Sequence, residues 1–447
     1  MAANSKEASL KHQIESLRLE NKGLRMMIES KRYQLADKLG GTFNRLAPKG
    51  TRRNQAAHAA YSQLTKIQKA NHRRRLRPIA RNIIELAGSK PIIIYDTIPY
   101  HAVLKQRPQH LAIELGKLGY FILWLERAGS SEYHKINDRI VAVRSADIMS
   151  LLNGLDNPIY FFASSTANLE TTETVLHALP TAKLMFEYID EIDGDISGHG
   201  AYELLGLWKK LPDLKPMLLL ASARKLRQEL LARGFDKKNV LLSPNATNVE
   251  HFDFTKHLNH KPPKDLAPIV AKKQPIIGFY GAVAPWLDYS LLNNIAKHNP
   301  QLSFVYIGTD YNHALKHLEQ IDNVHFLGEK KYDKLADYSY HFDVAIIPFK
   351  HGEIAKATSP VKLFEYMAMG LPTVCTRDLR ECSGYDYVLM SSNEKDFENN
   401  IKLAIKVKQD HNARLRLLEQ AKQNTWAQRA SDIHAFLDNH QRSNKSS

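Results

Sequence analysis

Cysteine is scarce in this chain of 447 residues: only Cys375 and Cys382 occur, without histidine or cysteine neighbours at the spacing of a zinc site. The scarcity argues against a disulfide framework or a zinc centre, so we expect two reduced thiols with a structural role. Asp193 and Asp195 match a short metal-binding pattern, but a pattern of this length recurs by chance. We therefore expect the protein to need no metal and no cofactor.

Long apolar runs are missing as well. No stretch is long enough to cross a bilayer, and the first residues, Met-Ala-Ala-Asn-Ser-Lys-Glu, lack the apolar centre of a signal peptide. Hydrophobic residues still make up 43% of the chain, which is enough to build substantial cores. These features predict a globular protein that stays in the cytosol.

Acidic residues are absent between Lys38 and Arg81, where twelve lysines and arginines occur. Residues 1–90 hold 20 Lys/Arg and 6 Asp/Glu, so they carry most of the formal net charge of +15. A cationic block of this kind predicts an anionic partner.

The partner that we expect is an anionic membrane surface, contacted through residues 38–87, which would make the protein peripheral at the inner face of the cell membrane. Apolar side chains alternate with arginines late in this segment, as in a helix that lies on lipid. Nucleic acid is a disfavoured alternative because aromatic residues are few and no recognised motif occurs. A solvated linker packed on the body is another. The apolar residues are Ile79, Ile83, Ile84 and Leu86.

A coiled coil is predicted within residues 1–38. Apolar residues recur there at alternating four- and three-residue steps, and Asn21 falls on a seam position, where asparagine fixes register and strand number. The pattern predicts a homo-oligomer, and a single amphipathic helix packed on the body is the alternative. The apolar residues are Leu10, Ile14, Leu17, Leu24, Ile28 and Leu35.

Residues 39–90 are predicted to form a basic linker followed by helices. Glycines and a proline within residues 40–56 favour a flexible linker, and residues 57–87 have a helical, basic pattern that we expect to break near Pro78.

The rest of the chain alternates short apolar runs with helical patterns. This order predicts parallel, doubly wound sheets, and hence an α/β fold of two Rossmann-like domains. We place the domains at residues 91–256 and 274–425, joined by a Lys- and Pro-rich linker at residues 257–273. Residues 426–447 are expected to form a C-terminal helix that returns to the first domain, followed by a tail. The predicted strands are 91–95, 121–125, 159–162, 182–186, 217–221, 240–242, 276–280, 303–307, 324–327, 344–348 and 372–375.

One segment near the C-terminus predicts a binding loop that leads into a helix. Thr358 and Ser359 are favoured N-cap residues and Pro360 suits the first helical position, so the helix should begin at about Pro360. Lys362 and Glu365 then share one edge of the helix. Free amides at a helix start suit a diphosphate, and a carboxylate one turn in can accept two ribose hydroxyls. An ordinary capped helix with a solvated Lys–Glu pair is the alternative.

Several short motifs occur in an order that is informative as a set. The motifs are Gln106-Arg-Pro-Gln-His-Leu-Ala112, Ser243-Pro-Asn-Ala246, Gly278-Phe-Tyr-Gly-Ala282, Asn323-Val-His-Phe-Leu-Gly328 and Phe342-Asp-Val-Ala-Ile-Ile-Pro-Phe349. Together with the loop and helix above, they resemble the GT-B glycosyltransferases, specifically the large retaining group that includes bacterial polysaccharide and teichuronic acid transferases. The resemblance covers about residues 91–435.

The resemblance implies that the second domain binds a nucleotide-sugar donor. Glu365 matches the glutamate that binds ribose in the family, and Gly281 would let the diphosphate approach the backbone, with tight packing as its alternative role. The family often carries another glutamate eight positions earlier, where this chain has Ala357, so the contacts to the donor sugar are open. The expected donor-binding residues are Gly281, Ala282, Thr358, Ser359, Pro360, Lys362 and Glu365.

The resemblance also places the acceptor in the first domain. Arg107 and Gln109, at the start of a helix, are candidates to bind an anionic acceptor such as a lipid pyrophosphate, with a structural salt bridge as the alternative for Arg107. Asp190 and Glu191 follow a predicted strand and are candidates to hold sugar hydroxyls. An acidic surface loop that caps the next helix is the alternative for this pair.

In retaining members of the group, a phosphate oxygen of the donor is thought to receive the acceptor proton, and the protein contributes position and charge stabilisation. Lys362 is then expected to offset the charge of the leaving diphosphate. An inverting enzyme needs a general base, for which His110, Asp190 and Glu191 are candidates. The expected catalytic residues are Lys362, Asp190 and His110, and retention is favoured.

The function predicted from these observations is transfer of a sugar from a nucleotide-sugar donor to a glycan or lipid-linked acceptor in cell-surface polysaccharide synthesis. A sugar-nucleotide epimerase or hydrolase on the same fold is one alternative. A non-catalytic partner that binds nucleotide sugars is the other, and Ala357 is its main support.

Overall fold

The computed structural model of the chain describes residues 71–72, 74–101, 105–126, 133–152, 156–164, 167–193, 199–257 and 260–445. The predicted coiled coil and the predicted basic linker up to residue 70 lie outside the described residues. Within these residues, no helix is both long enough and apolar enough to cross a membrane.

Strands and helices alternate along most of the described chain. The strands are β1 (Ile92–Asp96), β2 (Phe121–Glu126), β3 (Tyr133–Lys135), β4 (Ile140–Arg144), β5 (Ile159–Ala163), β6 (Lys183–Tyr188), β7 (Leu218–Ala221), β8 (Val240–Leu242), β9 (Ile276–Tyr280), β10 (Ser303–Ile307), β11 (Val324–Phe326), β12 (Val344–Ile347), β13 (Thr373–Thr376) and β14 (Val388–Ser391). The helices are α1 (residues 74–87), α2 (Arg107–Lys117), α3 (Ile148–Leu151), α4 (Leu169–Ala178), α5 (His199–Leu214), α6 (Arg224–Ala232), α7 (Val249–Phe252), α8 (Ala267–Val270), α9 (Tyr289–His298), α10 (Leu335–Ser339), α11 (Glu353–Ala357), α12 (Val361–Ala368), α13 (Glu394–Lys408), α14 (His411–Lys422) and α15 (Trp426–Lys445).

The chain divides into two compact units. The first takes its described residues from Met1–Thr97, Phe121–Leu184 and Ile192–Lys215, and the second from Ile98–Tyr120, Met185–Glu191 and Pro216–Ser447.

The first unit contains strands in the order β3-β4-β2-β1-β5. Strand β1 pairs in parallel with β2 and β5, and β2 pairs in parallel with β4, whereas the short β3 is antiparallel. Strands β1 and β5 are buried along their whole length, as expected for parallel strands covered on both faces.

Helix α1 continues through Pro78, so the predicted break near this residue is wrong. A proline inside a helix removes one hydrogen bond and costs roughly 3 kcal/mol. Packing of the helix opposes this cost, because Leu76, Ile83 and Ala87 are at most 1% exposed. Ile83 is therefore not available to lipid, although Ile84 on the same helix is exposed.

The second unit contains the parallel strands β6, β7 and β8 and a six-stranded sheet in the order β11-β10-β9-β12-β13-β14. Every pairing in the six-stranded sheet is parallel. The prediction of an α/β fold with parallel sheets is thus confirmed. In parallel sheets, the carboxyl ends of the strands form the edge at which ligands bind.

Gly278, in the middle of β9, lets the ring of Phe342 lie directly against the sheet. A Cβ atom added at Gly278 would stand 2.0 Å from the Phe342 ring, a distance that no real contact allows. Both residues lie in the core of the second unit, where Phe342 is 1% exposed and has no room to move.

Gly278→Ala should destabilise the protein by about 1–3 kcal/mol, because overpacking a dense core forces side chains and backbone to shift. Gly206→Ala is the matched control. Gly206 lies inside α5, where an added Cβ atom would meet no other atom within 4 Å, so alanine should stabilise that helix slightly. Urea unfolding measures both variants, and equal stability of the two would contradict the packing described for Phe342.

Candidate active site

Two glycines bring the backbone of β9 and β10 together at their carboxyl ends. Gly281 follows β9 with φ +138° and donates its N–H to the carbonyl of Ile307 at 2.9 Å. Gly308 follows β10 with φ +149°, and a Cβ atom there would stand 1.8 Å from the carbonyl oxygen of Gly281. This close approach leaves a side-chain-free stretch at the ligand-binding edge, with the half-buried Ala282 next to it.

Lys362 lies against this glycine. A Cβ atom at Gly281 would stand 2.8 Å from Cε of Lys362 and would displace the end of the lysine, and the φ of +138° itself favours glycine at this position. The ammonium also lies 5.4 Å from the ring centroid of Phe279 and 5.6 Å from that of Phe349, at cation–π distance. Burial lowers the pKa of Lys362, opposed by the negative charges of Glu365, Cys382 and Asp190 in their ionised forms.

Glu365 stands one turn after Lys362 on α12 and is 4% exposed. The Tyr280 hydroxyl donates to Oε2 of Glu365 at 2.8 Å, and the backbone N–H of Tyr280 donates to the Tyr366 hydroxyl at 2.9 Å. Burial raises the pKa of Glu365 to about 7, opposed by the Tyr280 hydrogen bond and by Lys362. The carboxylate is therefore anchored to β9 through one oxygen.

Helix α12 starts close to the predicted Pro360, but its capping differs from the prediction. The helix begins at Val361 with Pro360 as its N-cap residue, and no side chain caps it. The Thr358 hydroxyl instead donates to the carbonyl of Ile354 at 2.7 Å, and the Ser359 hydroxyl accepts from the N–H of Asn245 at 3.1 Å. Both hydroxyls bond elsewhere, so the predicted N-cap role for Thr358 and Ser359 is wrong. Among the described residues, no side chain accepts a hydrogen bond from the first amides of the helix.

Asp190 belongs to the same group of charges. It follows β6, and burial raises its pKa to about 6, opposed by the positive charges of Lys362 and Arg107. The structure thus brings Gly281, Lys362, Glu365 and Asp190 together, and these four residues are called the Lys362 cluster below. Glu191 lies outside this cluster and forms an ion pair with Lys225.

Arg107 is 2% exposed and uses its guanidinium within the protein. Its Nε donates to Glu187 at 2.6 Å, its Nη2 to the Ser243 hydroxyl at 2.8 Å, and its Nη1 to the carbonyl of Pro244 at 3.0 Å. This geometry favours the salt-bridge interpretation of Arg107 over acceptor binding.

Gln109 and His110, next to Arg107 on α2, are also held by the protein. Gln109 accepts from the N–H of Gln106 at 3.1 Å in a capping box and lies within reach of two loop carbonyls. The His110 ring stacks on Trp426 of α15, with centroids 5.1 Å apart. Burial, together with the charges of Lys105 and His251, lowers the pKa of His110 to about 3. A ring of this pKa is a weak proton acceptor, which disfavours His110 as a general base.

Sequence reasoning missed several residues that shape the site. Tyr280 and Asn245 lie within two of the motifs, but nothing in their spacing indicates that they donate hydrogen bonds to Glu365 and Ser359. Trp426 is the first residue of α15, which packs against α2. Ala357 is fully buried, and as an alanine it places no charged group at this position.

A possible metal site lies elsewhere among the described residues. His257, His260 and Asp337 offer ligand atoms that all lie within 4.8 Å of one another. None of them belongs to the Lys362 cluster. Cys375 and Cys382 are free and buried.

Comparison with known proteins identifies the segment that carries most of the Lys362 cluster. Residues 274–406 match the family model described as Glycosyl transferases group 1. These residues form a glycosyl transferase group 1 domain. Over 152 residues, the chain is 28% identical to a Bacillus subtilis (strain 168) protein provisionally assigned to teichuronic acid biosynthesis as the glycosyltransferase TuaH. The alignment covers 33% of this chain and only 38% of that relative.

Solved structures share the fold over a longer stretch. Sucrose-phosphate synthase from Thermosynechococcus elongatus superposes with a TM-score of 0.61 at 12% identity, covering 79% of this chain and 100% of that one. Anabaena HepE in complex with UDP and glucose gives a TM-score of 0.58 at 12% identity, covering 78% and 100%. The similarity to glycosyltransferases inferred from the motifs is confirmed, and the structures support a Rossmann-like, two-domain fold.

Replacing Glu365 should change how stability depends on pH. The pKa of Glu365 is about 7 in the folded protein and 4.5 in its ordinary, unfolded environment. The stabilisation of the fold that comes from this shift is therefore complete below about pH 4.5 and is lost as pH rises through 7. Relative to Glu365→Gln, the ligand-free protein should therefore lose up to about 3 kcal/mol of stability between pH 4.5 and 8. Unfolding by urea at several pH values measures the difference, and a constant difference would contradict the buried, raised-pKa carboxyl.

Glu187→Gln should destabilise the protein by about 3–5 kcal/mol, because it leaves the buried Arg107 charge without its counter-ion. The double variant Arg107→Met with Glu187→Leu removes both charges and should recover much of the loss. Chemical denaturation compares the variants. A loss below about 1 kcal/mol for Glu187→Gln would argue that Arg107 is free to serve another partner.

Proposed function

We propose that this chain is a glycosyltransferase that moves a sugar from a nucleotide-sugar donor to a glycan or lipid-linked acceptor in cell-surface polysaccharide synthesis. The observation that carries the proposal is the Lys362 cluster, in which an ammonium and an anchored carboxylate stand on one helix beside a side-chain-free strand end. Most of it lies inside the segment that matches the group 1 glycosyl transferases.

In this proposal, the donor diphosphate lies between Gly281 and the start of α12. Lys362 and the uncapped amides of the helix offset its charge, and Ala282, Thr358, Ser359 and Pro360 shape the loop around it. The ribose lies at Glu365, where Oε2 is held by Tyr280 and Oε1 remains for the hydroxyls. HepE, which shares the fold, was solved in complex with UDP and glucose, and this supports a nucleotide as the ligand.

The chemistry that we propose is transfer with retention of configuration. Lys362 stabilises the charge that develops on the departing diphosphate, and a phosphate oxygen of the donor accepts the acceptor proton. Asp190, whose pKa lies near 6 beside Lys362, would hold a sugar hydroxyl or, in an inverting reaction, act as the base. No metal is needed in this scheme, so EDTA should not change donor affinity.

The rest of the prediction is retained as part of the proposal. Residues 91–256 would serve the acceptor and 274–425 the donor, with residues 257–273 as the linker. Residues 1–38 would form a coiled coil that makes a homo-oligomer, and residues 38–87 would form a basic segment that contacts anionic lipid. The protein would then work in the cytoplasm at the inner face of the membrane.

Glu365→Ala should weaken UDP binding by ~10- to 100-fold, because a carboxylate that accepts hydrogen bonds from ribose is removed. Isothermal titration of the full chain with UDP measures the affinity. Glu419→Gln is the control, since Glu419 is 64% exposed and pairs with Lys422 on the surface of α14. Unaltered affinity in Glu365→Ala would rule out this residue as the ribose ligand.

Product analysis separates transfer from the two alternative functions. The chain is incubated with a panel of nucleotide sugars, with and without an acceptor panel. Glycoside formed only with acceptor supports transfer. Free sugar or an epimer formed from donor alone would establish a hydrolase or epimerase instead. UDP binding without any product would favour a non-catalytic binding partner.

A further inference from the structure

A cavity of about 520 Å³ lies within the second unit, and cations dominate its lining. Arg224, Lys225, Lys356 and Arg380 line it together with two carboxylates, Glu353 and Glu381. The volume is in the range of about 300–1,000 Å³ that holds small molecules in proteins.

The topology places these side chains at the ligand-binding edge of their sheets. Arg224 and Lys225 open α6, directly after β7, whose parallel neighbour β6 leads into Asp190 and Glu191. Arg380 lies in the short turn Arg380–Cys382 that follows β13, and Lys356 lies on α11 after β12. Loops that follow parallel strands converge, so residues far apart in sequence meet here.

Most of the charges around the cavity are paired within the protein. Lys225 contacts Glu191, Glu229 at 2.6 Å and Glu353 at 3.5 Å. Lys356 contacts Glu353 at 2.9 Å. These pairs hold the wall in place but leave little net charge on it.

The two arginines provide the charge that remains for a ligand. The Arg224 side chain is 62% exposed and only loosely paired, with Nη1 at 3.6 Å from the buried Glu381, which also accepts the backbone N–H of Arg224 at 2.8 Å. Arg380 is exposed and has no ion-pair partner in the part of the chain that the structure describes. A guanidinium can bind a carboxylate or phosphate through two parallel hydrogen bonds.

The cavity adjoins the Lys362 cluster through two connections. Glu191, which pairs with the cavity residue Lys225, is the neighbour of Asp190 in the cluster. Helix α11, which carries Glu353 and Lys356, ends at Ala357, one residue before the loop that starts with Thr358. A sugar substrate at the cluster would therefore have this cavity beside it.

We propose that the cavity binds an acidic sugar unit of the substrate, with Arg224 and Arg380 recognising its carboxylate or phosphate. This inference rests on the proposed function, because it names the class of sugar that reaches the same site. It also assigns anion recognition to Arg224 and Arg380 instead of Arg107, whose guanidinium donates its hydrogen bonds to acceptors within the protein.

The test uses the full chain saturated with UDP and three probes: glucuronate, glucose 6-phosphate and neutral glucose. Isothermal titration should show at least one acidic probe binding about tenfold more tightly than glucose, because each charge-assisted pair adds strongly to affinity. Whichever acidic probe binds more tightly identifies a uronate or a phosphate as the source of the anion. Equal affinity for all three probes would overturn the proposal.

Arg380→Gln should abolish most of this preference and leave UDP affinity unchanged, since Arg380 is exposed and lies outside the Lys362 cluster. Arg224→Gln should act in the same direction. Arg416→Gln is the matched control, because Arg416 is 69% exposed on α14. Retained preference in Arg380→Gln and Arg224→Gln would also overturn the proposal. UDP affinity is measured separately, so UDP binding without any preference for an acidic probe overturns the assignment of the cavity and leaves the proposed function standing.

Discussion

The burial of two opposite charges on one short helix is the constraint on which the candidate site depends. Glu365 is buried and Lys362 is half-buried, and desolvation shifts the pKa of each group in the direction that favours its neutral form. Such a pair is stable only if the surroundings are arranged around it. Gly281 makes room for the lysine and Tyr280 holds the carboxylate, so both supports come from the end of β9.

A second layer of contacts positions the helix that carries these charges. Asn245 donates its backbone N–H to the Ser359 hydroxyl, and its side-chain amide donates to the Ser359 carbonyl. Arg107 in turn binds the carbonyl of Pro244 beside it. Arg429 of α15 donates to that same carbonyl at 3.0 Å. Asn245 therefore holds the loop before α12, and Arg107 and Arg429 hold the residue next to Asn245, which fits a site that must be preorganised.

The cationic cavity changes the interpretation of the buried Ala357. Taken alone, the missing carboxylate beside the donor loop suggests weakened binding of the donor. With two exposed guanidiniums nearby, the same absence fits a substrate whose own group is negative, because an added carboxylate would repel it. Arg224 and Arg380 carry this distinction, and they lie on elements separated by more than 140 residues in sequence.

The sequence by itself determined the α/β class, most of the strands and the pairing of Lys362 with Glu365 on one helix edge, because these follow from periodicity and spacing over a few residues. It missed β3, β4 and β14, although β4 is as long as β1, and it placed the N-cap residue of α12 one or two positions too early. Only the tertiary structure decided the partners of Arg107, the stacking of His110 on Trp426, the raised pKa of Glu365 and the existence of the cavity. Each of these depends on burial and on contacts between distant segments, and local sequence carries neither.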